Sequence, residues 1–70
     1  MNITINGEAA SIDPLSVQDY LLFLGIDPRR VAVELNLDIL PKAAYPDTAL
    51  KEGDRLEIVH FVGGGSPASS

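Results

Sequence analysis

One stretch of this chain repeats with the period of a helix. Val17, Tyr20, Leu21 and Leu24 fall at i, i+3, i+4 and i+7, a single apolar stripe. Ser16 before it is a good N-cap, and Asp19 suits the positive end of a helix dipole. Gly25 is placed to cap the other end, and Asp27-Pro28 blocks continuation. The helix therefore runs from Val17 to Leu24. Leu22 and Phe23 lie off the stripe and are expected to close the edge of the core, the alternative being a contact surface.

The segments around this helix alternate, as half-buried strands do. Met1 to Ile5 is the first, and Asn6-Gly7 is a hairpin turn because both residues tolerate positive φ. Glu8 to Ile12 returns, burying Ile12 and Ala10. Val31, Val33 and Leu35 share one face of a third strand. Asn36-Leu37-Asp38 turns into the short strand Ile39-Leu40, which Pro41 ends. Lys42 to Leu50 reads as irregular, with a turn at Pro46-Asp47 and Leu50 plugging the core. Glu52-Gly53-Asp54 turns into the last strand, Arg55 to Phe61.

Seventy residues make one domain. A chain of this size buries only about 60% of its unfolded surface, so its core is small. The absence of cysteine excludes disulfides, thiolate metal sites and a catalytic thiol. The net charge is −5, and Arg29-Arg30 is the one basic pair, which argues against nucleic-acid binding. No apolar stretch approaches the length of a membrane span, and no basic segment followed by an apolar core marks a signal peptide. The cytoplasm is the expected compartment.

No catalytic constellation is visible. His60 is the single histidine, and a general base needs an orienting partner, so it reads as a surface or packing residue. Asp47, Glu52, Asp54 and Glu57 read as solvated turn carboxylates, because their spacing matches no calcium loop. The last strand says more. With Leu56 and Ile58 facing the helix, Glu57, Val59 and Phe61 face outward. An exposed apolar patch of Val59, Phe61 and Val62 then flanks the root of Gly63-Gly64-Gly65. Three glycines build no core. They make a thin arm that can thread a channel too narrow for side chains. The plain alternative is a frayed terminus or linker.

Glu52 to Gly65 closely resembles the C-terminal signature of the ThiS family, small sulfur carriers of thiazole (thiamine) synthesis, and Val31 to Asn36 and Ile39-Leu40-Pro41 extend the likeness. Leu37 stands where that family commonly has glycine. The resemblance implies an α+β fold of the β-grasp, or ubiquitin-like, type: a mixed sheet of about five strands with one helix on one face. Residues 1–62 would form this domain and 63–70 a C-terminal arm.

The resemblance also implies a chemistry. The Gly65 carboxylate is adenylated with ATP by a ThiF-like adenylyltransferase. A persulfide donor converts it to a thiocarboxylate, and a ThiG-like thiazole synthase takes the sulfur. The chain is then a carrier and co-substrate, not an enzyme, and binds no cofactor of its own. Here Ser66 to Ser70 follow Gly65, so its carbonyl is an amide. Either a processing protease cuts the Gly65–Ser66 bond, or the five residues are an artificial addition. Carriers for molybdopterin or cysteine synthesis, a ubiquitin-like modifier and a plain interaction module are the competing readings.

Overall fold

A computed structural model describes residues 1–62, 66 and 67, with side chains through His60. The first hairpin forms as the alternation requires: β1 (Asn2–Ile5) pairs antiparallel with β2 (Glu8–Ser11). Asn6 and Gly7 both take positive φ, 47° and 85°, as a two-residue hairpin turn of this hand needs. The Met1 and Ile12 backbones add a further reciprocal pair at 2.8 Å.

α1 (Val17–Phe23) starts where the Ser16 hydroxyl accepts from the Asp19 amide at 3.0 Å. It buries Val17, Tyr20 and Leu21. Its end is a Schellman turn: Gly25, at φ 79°, donates to the Leu22 carbonyl, and Ile26 donates to that of Leu21. This stops the helix one residue before the expected Leu24. Leu24 is the C-cap and 43% exposed, not part of the buried stripe. Leu22 and Phe23 are 55% and 76% exposed, so they do not close the core edge as expected; they form a surface.

A 3-10 turn (Pro28–Arg30) leads into β3 (Val31–Leu35), which pairs antiparallel with β4 (Asp38–Leu40) and with β5 (Arg55–Val62). β5 returns between β3 and β1, parallel to β1 through Thr4↔Arg55 and Ile5↔Leu56. The strand order is β2-β1-β5-β3-β4, the β-grasp arrangement. β6 (Ser66–Pro67) pairs with the end of β5, Val62 opposite Ser66.

The core lies between sheet and helix. Ile3, Val31, Val33, Leu56 and Ile58 supply it from the strands, and Leu50 plugs it from the loop as expected. Lys42–Asp47 is a 3-10 helix and not irregular chain, and it buries Tyr45 to 1% exposure. The segment after it is tied to the helix start: Val17 donates to Thr48 and Leu50 to Leu15, at 2.8 and 2.9 Å. Asp54 is also a correction, for it is 9% exposed and not a solvated carboxylate. Its two oxygens accept from the Asn36 side chain (3.0 Å) and the Lys51 amide (2.8 Å), locking the turn into β5.

The second hairpin keeps two positive φ values, 52° at Asn36 and 74° at Leu37. A leucine there places Cβ against the next carbonyl. Leu37 is 67% exposed, so replacing it removes little packing. Leu37→Gly is expected to raise stability by about 1 kcal/mol, the relieved strain exceeding the extra chain entropy of glycine. A thermal midpoint higher by about 4–8 °C checks this.

Candidate functional site

β5 carries the candidate site because its second half outruns β1. β1 stops opposite Leu56. The Asn6 side chain continues the pairing for one step: its Oδ1 accepts from the Ile58 amide at 2.8 Å and its Nδ2 donates to the Ile58 carbonyl at 3.4 Å. Beyond that point the partner is β3, with Ala32 opposite Val59 and Val31 opposite His60.

The face turned away from the helix follows from this register. Leu56 and Ile58 are buried, Glu57 is half-buried, and Val59 is 50% exposed. Glu34 lies opposite Glu57, and Ile39 lies opposite Glu34 on the outer strand. Ile39 is 79% exposed. The outer face is therefore Val59, Ala32 and Ile39 interleaved with two carboxylates, with the exposed Arg55 next to Glu57 along β5. Like charges facing each other across a ladder are unfavourable in isolation. Ile39 is not among the residues that the sequence singles out for a site; the structure assigns its face, because Leu40 packs against the core and its neighbour turns out.

The remaining expected site residues divide plainly. Gly63, Gly64 and Gly65 lie outside the described residues, and so do the side chains of Phe61 and Val62. His60 is exposed, and no side-chain hydrogen bond orients it among the described residues. No group of metal-ligating residues occurs there either, and no helix is long and apolar enough to cross a membrane.

Two further surfaces stand out. On the helix side, Phe23 stacks on Tyr20 with ring centroids 6.3 Å apart, beside a cleft lined by Met1, Ile12 and Leu15. Burial raises the Tyr20 phenol above its ordinary value. Before β3, Asp27 caps the 3-10 turn through the Arg29 amide (2.9 Å) and grips the Arg29 side chain at 3.1 and 3.0 Å. These hydrogen bonds hold the Asp27 carboxyl down to about 2, so it stays ionised at any pH near neutrality.

Among known proteins, the ThiS family matches residues 3–65, ending on the third glycine. A thiazole synthase of Paramagnetospirillum magneticum is 49% identical over 67 residues, which is 94% of this chain and 21% of that protein. The chain thus spans about a fifth of the length of this relative, and 22% of a second thiazole synthase from Magnetococcus marinus. The sulfur carrier protein ThiS of Bacillus subtilis is 42% identical over 53 residues, 76% of this chain and 80% of that protein. The crystal structure of a thiamine biosynthesis protein (ThiS) from Geobacter metallireducens superposes with a TM-score of 0.80. It is 38% identical, covering 93% of this chain and all of that one.

Proposed function

This chain belongs to the ThiS family, and on that premise we propose that it is a sulfur carrier for thiazole formation in thiamine synthesis, reacting through the C-terminal carboxyl of Gly65. The observation that carries the reading is where the family match ends. It runs through the β-grasp body and stops at Gly65, the third residue beyond β5. No cysteine is available to hold sulfur, which leaves the main-chain carboxyl.

The chemistry follows from the acceptor. A carboxylate resists attack by sulfur because oxide would have to leave. A ThiF-like adenylyltransferase joins the Gly65 carboxylate to the α-phosphorus of ATP, releasing pyrophosphate. The oxygen now departs with AMP when the terminal persulfide sulfur attacks, which leaves an acyl disulfide to the donor. A second thiol on the donor side then cleaves that S–S bond, releasing the Gly65 thiocarboxylate and ending as a disulfide, since this chain has no cysteine of its own. A ThiG-like thiazole synthase then accepts that sulfur; the two long relatives named thiazole synthase support this partner. The peptide bond between Gly65 and Ser66 must be cut first, by a protease acting after the glycines.

The body contributes affinity. Ordering three arm residues costs about 3–6 kcal/mol of backbone entropy. Docking of the outer face around Val59 and Ile39 offsets this. Carriage needs no catalytic group on the chain itself, and His60 has no role in it.

Intact mass of the protein isolated from its own host, with half the sample treated by a thiol-selective alkylating agent, tests the proposal. A species ending at Gly65 that alkylates is the expected result, since the chain has no cysteine thiol to compete. A species ending at Gly65 that never alkylates would favour a ubiquitin-like modifier. A chain always extending past Gly65 would overturn the carrier reading.

A further inference from the structure

The five cations of this acidic chain are unevenly placed. Arg29 and Arg30 form the turn that enters β3, and Lys42 opens the 3-10 helix that follows β4. Val33 pairs with Leu40, so the start of β3 and the end of β4 are the same end of the sheet. β5 leaves at that end too, with His60 opposite Val31. The Lys42 ammonium donates to the Val31 carbonyl at 2.9 Å, which brings it beside the residue that follows Arg30 and faces His60. Three cations therefore lie on the elements at the end of the sheet where β5 leaves toward Gly65. Lys51 and Arg55 lie at the opposite end, where β5 begins.

The two arginines are presented, not buried. The Arg29 and Arg30 side chains are 86% and 80% exposed. Asp27 holds Arg29 in a two-pronged contact and Arg30 Nε at 3.6 Å, so one carboxylate faces two guanidinium groups and fixes their direction. A fixed guanidinium fork suits a carboxylate better than a lysine does. Three arm residues span about 10 Å. That is about one screening length at physiological salt, so the cluster would sit outside a channel that holds the end of the arm.

We propose that Arg29, Arg30 and Lys42 form a cationic collar that docks on an acidic rim around the channel through which the adenylyltransferase admits the glycine arm. This rests on the sulfur-carrier reading. In a chain of net charge −5, this end of the sheet holds three of the five cations, set against the carboxylates of Asp27 and Glu8. The field of an acidic rim then turns the domain arm-first during encounter, raising productive collisions.

The test uses the full chain for association rates and the form ending at Gly65 for ATP–pyrophosphate exchange, both with the adenylyltransferase of the same host. Arg29→Gln/Arg30→Gln is expected to slow association and raise the KM for the carrier about tenfold at low salt, with kcat nearly unchanged. The difference should shrink as salt is raised. Lys51→Gln/Arg55→Gln removes the same charge at the far end and should change neither. Asp27→Asn keeps the cap acceptor, frees the guanidinium pair and should speed association. Circular dichroism confirms that each variant is folded. Equal effects of the two double variants, or a change in the KM for ATP in place of that for the carrier, would overturn the collar. A wild-type chain ending at Gly65 that supports no exchange would overturn the sulfur-carrier reading itself, and the collar's partner with it.

Discussion

Tyr45→Ala is expected to destabilise the fold by about 3–5 kcal/mol, the range for truncating a fully buried aromatic ring. Over seventy residues at about 0.05–0.15 kcal/mol each, this removes roughly a third or more of the whole stability. The reason is geometric. Tyr45 is 1% exposed and sits on the 3-10 helix that packs against α1, enclosed by core residues that are themselves held in place. Its hydroxyl also donates to the Val31 carbonyl at 3.3 Å, where β3 begins. Tyr45→Phe separates the two contributions. It removes only that bond, and the carbonyl keeps the Lys42 ammonium at 2.9 Å. A loss of about 0.5–1.5 kcal/mol is expected for it. Urea denaturation of the two variants reads both values. Similar midpoints for Tyr45→Ala and the parent would mean that Tyr45 does not pack as described.

Gly64→Val is expected to abolish carrier function while leaving the body untouched. A β-branched side chain widens the arm and stiffens its backbone where a channel must admit it. Misplacing a reacting group by about 1 Å costs about 10²-fold in rate, and a blocked channel costs more. Adenylation of Gly65 should therefore fall at least that far, measured as ATP–pyrophosphate exchange by the chain ending at Gly65. The thermal midpoint should stay at the parental value, because α1 and the strands through β5 hold the core without this residue. Unchanged exchange would make the glycines a linker and favour a plain interaction module. The two predictions act on different parts of the molecule, so a variant that fails in one assay should pass in the other.

Part of the candidate site is legible in the sequence. Leu56 and Ile58 read inward and Val59 outward from the alternation alone, and the burial pattern of β5 agrees. Ile39 escapes such a reading because a three-residue strand offers too little alternation to assign a face unaided. The basic pair Arg29-Arg30 is visible as a pair. Its nearness to the arm root is not, because that depends on β3 running back along β5.

Local chemistry determined the elements. The Ser16 cap, the Gly25 stop, the Asn6-Gly7 turn and the two-residue alternation each act over a few neighbours, and each appears in the structure where the sequence places it. The family resemblance supplied the topology, including the return of the last strand beside the first. Tertiary structure alone decided the rest. Tyr45 is buried because α1 lies over a segment without periodicity, and Asp54 because Asn36, eighteen residues away in sequence, folds back to share its carboxylate. Leu24, by contrast, is exposed because the Schellman turn ends the helix before it. A period encodes which side of an element is apolar. What covers an isolated residue is set by segments distant in the chain, and no local pattern carries that information.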